Sequence, residues 1–315
     1  VVGARKPLLV IAGPTGVGKT AAAVALARRL PIEVVSADSR QVYRGMDAAT
    51  GKPTGDERRA VRHHLVDVVD PGDRYDASRF RRDAAVAIDA IRGRGRLPVV
   101  VGGTGLYIRA LLRGLDPAPA ADPEFRRTLA AIAASEGRAA LHGRLGREAP
   151  ELARRLHPND HVRVIRALEL VRAGSPVGDD RVRWHDEPGE YRAVYVALTA
   201  DRAVLWPRLR LRAREMAGAG LLDEVRGLLA RGCDPALPAM RGIGYRQFVD
   251  VARGATSEAD AIASMERATV EYARRQVTWF RREPGVRWLD VAHAGGPDGA
   301  VAAIEALVMQ EGLIE

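Results

Sequence analysis

The sequence predicts an α/β fold: a P-loop nucleoside-triphosphatase-like core built on a parallel sheet, with a helical insertion domain. Three observations predict it. The pattern G-x-x-x-x-G-K-[ST] occupies residues 13–20, between an apolar run and an Ala-rich helical segment. Strand-length apolar runs alternate with helical patterns as far as Leu115, which implies parallel βαβ units. From Pro123 to Ala173 the strand pattern disappears and only helical segments broken by Gly and Pro remain.

Each element follows from its local pattern. Residues 8–12 are a short apolar run that reads as a strand, and residues 21–30 are helical. Residues 32–36 (IEVVS) and 65–69 are β-branched runs of strand length. Residues 78–92 place Phe80, Ala84, Ile88 and Ile91 on one helical face. Residues 97–101 (LPVVV) read as a strand buried on both sides, and Gly102-Gly103 opens a helix over 104–112. Residues 116–123, rich in Pro, Ala and Asp, carry a linker signal. Residues 192–199 (RAVYVALT) return to the sheet, 202–282 are helical with breaks, and 286–291 suggest a last strand. The division expected is 1–116 for the first part of the core and 117–188 for the insertion. Residues 189–315 then form the second part, with C-terminal helices.

Composition narrows the class. A 47% hydrophobic and 28% charged chain of 315 residues is globular and large enough for a core with an insertion. No apolar run reaches membrane-span length, and the opening residues read as leading straight into a strand, not as a signal peptide. Cys233 is the only cysteine, which excludes an internal disulfide or a multi-cysteine zinc site and suits a reducing cytoplasm. The net charge of +9 favours polyanionic partners such as nucleic acid. Lys6, Lys19 and Lys52 are the only lysines, so nearly all of that charge is arginine.

The phosphate signature has a physical reason. In Gly13, Pro14, Thr15, Gly16, Val17, Gly18, Lys19 and Thr20, the glycines let the backbone wrap a phosphate with successive N–H groups inward. The helix that follows adds its N-terminal partial charge. Lys19 supplies a full charge, and the Thr20 hydroxyl is placed for Mg²⁺. Asp38 follows the second strand at its carboxyl end, where open α/β sheets bind ligands. Residues 36–43 gather an acid, hydroxyls, an amide and a phenol; the alternative is a helix start capped by Asp38 or Ser39. Asp67 and Asp70 are further acids, but His63-His64 beside them lacks metal-ligand spacing and reads as structural. Gly102-Gly-Thr-Gly105 repeats the strand-to-helix geometry and offers the Thr104 hydroxyl.

Taken in order, GPTGVGKT, SADSRQVYRGMDAATGKP (36–53), HHLVDVVDP (63–71), VVVGGTGLY (99–107), HPND (157–160), RGIGYRQ (241–247) and RRQVTWFRR (274–282) resemble the tRNA dimethylallyltransferase family. The resemblance runs over nearly the whole chain, and without a Cys/His zinc-binding tail it is to the bacterial form. It implies transfer of a dimethylallyl group from dimethylallyl diphosphate to the N6 amine of the adenosine just 3′ of the anticodon. The P-loop would then hold a diphosphate leaving group, with Mg²⁺, and ATP is not the expected ligand. By resemblance Asp38 is the general base, Thr104 helps hold the reacting groups, and Arg212, among the arginines at 208, 210, 212 and 214, contacts diphosphate. Asp38, Ser39, Arg40, Gln41 and Thr104 match positions that meet the tRNA. So do Arg126, Arg163 and Arg166 in the insertion, and Arg241, Gly242, Ile243, Gly244, Tyr245 and Arg246, whose glycines would allow close approach to RNA. Tyr107 and Trp279 are candidates to stack on bases, while Phe280 reads better as core. The sequence departs from the family around Asp76–Phe80 and over 174–187, away from the chemistry.

The partners implied are the tRNA anticodon stem-loop and dimethylallyl diphosphate; a cytoplasmic monomer is expected. Two other readings exist: an adenylate isopentenyltransferase acting on a free nucleotide, or a nucleic-acid-binding P-loop ATPase or kinase. The insertion and RGIGYRQ argue against the first. No nucleotide-reading pocket or ATPase-type metal acid is visible for the second.

Overall fold

Strands whose residues are apolar on both faces can be stable only inside a sheet covered on both sides, and such strands make the centre of this protein. The computed structural model describes residues 5–114, 122–174 and 189–314. In chain order the first elements are β1 (Lys6–Ala12), α1 (Lys19–Ala27), β2 (Ile32–Ser36), α2 (Gly55–Ala60), β3 (His63–His64), α3 (Ala77–Arg92), β4 (Leu97–Gly102) and α4 (Gly105–Arg113). Then come α5 (Pro123–Ser135), α6 (Arg138–Glu148), α7 (Pro150–Arg155) and α8 (His161–Arg172). The chain continues with β5 (Tyr191–Thr199), α9 (Arg202–Met216), a kink (Ala217–Leu221) with Gly220 left-handed, α10 (Leu222–Ala230), α11 (Tyr245–Ala252), α12 (Glu258–Phe280), β6 (Arg287–Asp290) and α13 (Gly296–Gln310).

The sheet has six strands in the order β3-β2-β4-β1-β5-β6, and every pairing is parallel. The P-loop core expected from the sequence is therefore present, with β5 returning beside β1 in the register Leu9↔Val194. Along β1 the side chains alternate between two cores. Leu8 and Val10 join Phe80, Ile88, Tyr107 and Phe280 on one face. Leu9 and Ile11 join Leu26, Val99, Val196 and Ile304 on the other. The carboxyl ends of β1, β2 and β4 thus emerge side by side, which is where this class of sheet binds ligands.

Contacts divide the chain into one unit of Val1–Leu112 with Pro188–Glu315 and a second of Arg113–Glu187. The second is all helical and has its own core, centred on Leu129, Leu141, Leu145, Val164 and Leu168. The linker signal at 116–123 falls mostly outside the described residues, as does most of the charged stretch at 174–187.

One expected strand does not form. Residues 65–69 are β-branched, yet the ladder to β2 ends at His64, and only an isolated bridge joins Tyr43 to Val69. Leu65 (φ 61°) and Asp67 (φ 58°) are left-handed, which no strand tolerates. The backbone N–H groups of Asp67, Val68 and Val69 go instead to the carbonyls of Gln41 and Val42. The Asp67 carboxylate is pinned by Lys52 and Arg58. Asp70 pairs with Arg44. His64 and Arg94 share the buried Glu33 carboxylate, which holds His64 in a structural pair, and His63 Nδ1 meets the Val61 carbonyl while its Nε2 has no partner among the described residues.

Candidate active site

The turn from β1 into α1 builds the first wall. Gly18 sits at the N-cap of α1 in the left-handed conformation (φ 101°) with open space where a Cβ would be, so a ligand can approach the backbone there. No side chain caps α1, so its first N–H groups are left for an anion. Thr15, Gly16, Gly18, Lys19 and Thr20 line a cavity of about 310 Å³. Gly13, Pro14 and Val17, also expected to bind phosphate, do not line it. The carbonyls of Gly13 and Pro14 accept hydrogen bonds from Lys19 Nζ at 3.0 and 2.8 Å, and Val17 packs in the core.

Burial holds the Lys19 ammonium down to about 8, with Asp38 pulling it up and Arg212 pushing it further down. A bound diphosphate would restore the charge. Affinity for inorganic pyrophosphate is then expected to lose up to about tenfold per pH unit above about 8, beyond the part due to the ligand's own ionisation. Lys19→Arg keeps its charge at these pH values and should remove that extra slope. Titration calorimetry on both proteins from pH 7 to 9.5 checks this, and parallel profiles would disprove it.

The end of β2 supplies the acid. Residues 39–42 form a turn and no helix starts there, so neither Asp38 nor Ser39 is a helix cap. Asp38 Oδ1 accepts from the Arg40 backbone N–H at 2.8 Å, which fixes the carboxylate. Ser36 Oγ donates to Gln41 Oε1 and Gln41 Nε2 donates to the Gly51 carbonyl, both at 2.8 Å, which ties this loop to residues 50–54 along the cavity rim. The Thr104 hydroxyl accepts from the Ser39 N–H at 3.1 Å, joining the ends of β2 and β4.

A second cavity, about 300 Å³, adjoins the first. Thr15, Asp38, Thr50, Arg212 and Tyr272 line both, so they form the boundary. On its far side the second cavity is lined by Ser39, Arg40, Arg241, Ile243, Arg246 and Arg275, with Leu209, Ala213, Met216 and Met265 as an apolar floor. The arginine series on α9 is sorted by helical geometry. Arg208 and Arg212, four residues apart, reach the first cavity. Arg214 instead pairs with Glu266.

Several expected contacts prove to be supports. The φ of 92° at Gly244 starts α11, and a Cβ there would meet Ala49, so its freedom serves internal packing and not approach to RNA. Tyr245 is 1% exposed and donates its hydroxyl to Glu224, whose carboxylate also accepts from the N–H groups of Asp47 and Ala48. Gly242 does not line either cavity. Tyr107 is buried, stacked on Phe80 at 4.5 Å with its hydroxyl on the Tyr75 carbonyl, so it cannot stack on a base. Phe280 is core, and Trp279 is half-buried beneath the Arg109 guanidinium. In the helical unit, Arg126 and Arg166 both bond the buried Glu169 carboxylate, while the more exposed Arg163 pairs with Asp160. Two residues the sequence reading did not single out, Tyr272 and Gln276 on α12, line the phosphate-side cavity.

The family model described as IPP transferase matches residues 41–283, and that described as isopentenyl transferase matches residues 6–69. A tRNA dimethylallyltransferase of Anaeromyxobacter dehalogenans is 50% identical over 282 residues, covering 90% of this chain and 94% of the relative. One from Syntrophobacter fumaroxidans is 46% identical, covering 92% and 85%. Among solved structures, the tRNA isopentenylpyrophosphate transferase of Bacillus halodurans aligns with a TM-score of 0.71 at 38% identity, over 98% of this chain and 97% of that one. A eukaryotic dimethylallyltransferase described as acting on tRNA aligns at 0.72 and 28% identity, over 90% and 74%.

Proposed function

The chain belongs to the IPP transferase family, and from that premise we propose that it transfers a dimethylallyl group from dimethylallyl diphosphate to tRNA. The acceptor is the exocyclic N6 amine of the adenosine 3′-adjacent to the anticodon, and diphosphate is released. The observation that carries this reading is the shared boundary: a phosphate cradle and an arginine-rimmed cavity meet at one carboxylate, Asp38. A donor seated on the P-loop and a flipped adenine entering from the other side would meet there.

The chemistry then follows from the side chains. The allylic carbon gains positive character as its bond to oxygen lengthens, so the departing charge needs fixed donors. Lys19, Arg208, Arg212 and the open N–H groups of α1 supply them. Asp38 accepts the proton that the poorly basic N6 amine must lose as the new bond forms. Thr104 fixes the Asp38 loop through the Ser39 N–H.

Among the described residues no group of three or more His, Cys, Asp or Glu side chains could cage a metal. The oxygen donors on the wall of the phosphate-side cavity, Thr20 and Asp38, suit Mg²⁺, which keeps several waters and takes its other oxygens from the substrate phosphates. Thr20 would hold it, with Asp38 on the same cavity wall. When bound, Mg²⁺ neutralises charge gathering on the diphosphate.

The helical insertion, 117–188, is read as a clamp for the anticodon stem-loop, with Arg163 as a phosphate contact and Arg126 and Arg166, oriented by Glu169, presenting charge to the same backbone. Ser39, Arg40, Gln41, Arg241, Ile243 and Arg246 are placed to meet nucleotides around the target, and Gly242, Gly244 and Tyr245 shape that loop. A free-nucleotide acceptor is less well supported, because the cavity rim carries more arginines than one nucleotide requires. No helix among the described residues is long and apolar enough to cross a membrane. The protein is read as a cytoplasmic monomer, where tRNA is available.

The test is direct. The protein should transfer label from radiolabelled dimethylallyl diphosphate to an anticodon stem-loop carrying adenosine at the target position, and not to one carrying guanosine there. Transfer to free adenosine monophosphate but not to RNA would overturn the reading in favour of the free-nucleotide enzyme.

A further inference from the structure

The boundary between the two cavities includes a side chain with no part yet in the reaction. Tyr272 and Gln276 lie one turn apart on α12 and so share a face. Gln276 is 5% exposed, accepts from the Thr15 N–H at 2.8 Å and donates to the Gly103 carbonyl at 2.9 Å. It therefore fixes the position of α12 against both the P-loop and the glycine loop after β4. One turn earlier, Tyr272 is held at the junction, lining both cavities beside Asp38 and Arg212.

The hydrogen-bond inventory around Tyr272 defines what it can offer. Its phenol lies beside the Thr104 hydroxyl. That hydroxyl already accepts from the Ser39 N–H, so its own hydrogen is available to the phenol oxygen. Among the described residues the phenol O–H is given to no acceptor, and Tyr272 lines both cavities, so that hydrogen is left to donate into them. Burial, reinforced by Asp38, pushes the phenol up to about 12, so the proton stays on it at neutral pH. Thr50, also at the junction, has its hydroxyl hydrogen committed to the Met46 carbonyl at 2.8 Å.

On the reading above, two substrate groups come to this junction. The N6 amine is a hydrogen-bond donor and is matched by Asp38. The bridging oxygen of the allylic diphosphate is an acceptor. We propose that Tyr272 is a further catalytic residue, whose phenol donates a hydrogen bond to that bridging oxygen as the bond from carbon to oxygen breaks. The electron pair of the breaking bond goes to the bridging oxygen. The N6 lone pair forms the new bond to carbon, and the amine proton goes to the Asp38 carboxylate. Tyr272 keeps its own proton, and diphosphate leaves as the anion. The phenol complements the cationic donors because it acts at the reacting end of the diphosphate.

Tyr272→Phe tests this in single-turnover transfer from labelled dimethylallyl diphosphate. The expected loss is about tenfold to a hundredfold in rate, with pyrophosphate affinity, RNA affinity and melting temperature unchanged. A wild-type rate in that variant overturns the proposal. So does an equal loss of pyrophosphate affinity, which would make Tyr272 a general support of the cradle. Fluorotyrosines at position 272 preserve the shape while making the phenol more acidic, so they remain informative if the phenylalanine variant does not fold. The transfer rate should rise as the phenol becomes a stronger donor, and a rate indifferent to its acidity overturns the proposal. Because the proposal rests on the prenyl-transfer reading, wild-type protein is the control: failure of wild-type to label RNA would count against that reading and not against Tyr272 alone.

Discussion

Asp38→Asn is expected to lower the single-turnover rate of prenyl transfer about a thousandfold while pyrophosphate binding stays within about threefold of wild type. The asymmetry follows from how the carboxylate is held. Oδ1 is committed to the Arg40 N–H at 2.8 Å, and an amide oxygen in the variant can accept the same bond, so the loop keeps its shape. Among the described residues no hydrogen bond is made to Oδ2, which leaves that oxygen for a substrate proton. An amide there cannot take up the proton. Asp38 also pulls the Lys19 ammonium upward, so its removal lets that group fall below about 8. Binding is therefore best compared at pH 7, where Lys19 is charged in wild type. Rapid-quench transfer assays and calorimetry with pyrophosphate check the two halves. A wild-type rate in Asp38→Asn would remove it as the base, and a matching loss of pyrophosphate affinity would make it a ligand of the phosphate side instead.

How much of this was legible in the sequence depended on the range of the interaction. The P-loop is a contiguous pattern, and its strand and helix follow from local apolar periodicity, so β2 could be placed to the residue and β1 and α1 to within two or three residues at their ends. Asp38 was readable because a polar segment at a strand end has few other purposes. The arginines of α9 could not be separated in a linear reading. Only the helical twist puts 208 and 212 on the cavity side and leaves 214 for Glu266. Gln276 and Tyr272 were hidden for a different reason: α12 joins the site through Gln276 bonds to Thr15 and Gly103, both far away in sequence. Residues 65–69 misled because β-branched composition does not report the positive φ that the Lys52–Asp67 and Arg58–Asp67 pairs hold in place. RGIGYRQ misled in part for a related reason. Its arginines line the second cavity, but Gly244 and Tyr245 are packed inward, and a motif does not say which of its letters face a ligand.

Arg212→Ala is expected to lower the transfer rate by about 10²–10³ and, unlike Asp38→Asn, to weaken pyrophosphate as well. Arg212 lines both cavities, so its charge lies where the carbon–oxygen bond breaks and along the departing diphosphate. Burial and then Arg208 hold its guanidinium below the ordinary value, but an arginine in this setting stays protonated. The half-buried position makes its interaction with an anion stronger than that of the exposed Arg208. Arg208→Ala should therefore cost only about tenfold. Arg212→Lys should recover part of the loss, since an ammonium supplies charge but not the planar fork that grips two phosphate oxygens. The pH dependence carries a second signature. Arg212 pushes the Lys19 ammonium down, so removing it lets Lys19 stay charged to higher pH. The loss of pyrophosphate affinity in Arg212→Ala should then be largest near pH 7, where Lys19 is charged in both proteins, and smaller above pH 8, where only the variant keeps that charge. Equal losses at both pH values would show that Arg212 and Lys19 are not coupled through the cavity. A near-normal Arg212→Ala beside a crippled Arg208→Ala would move the diphosphate contact one turn back along α9.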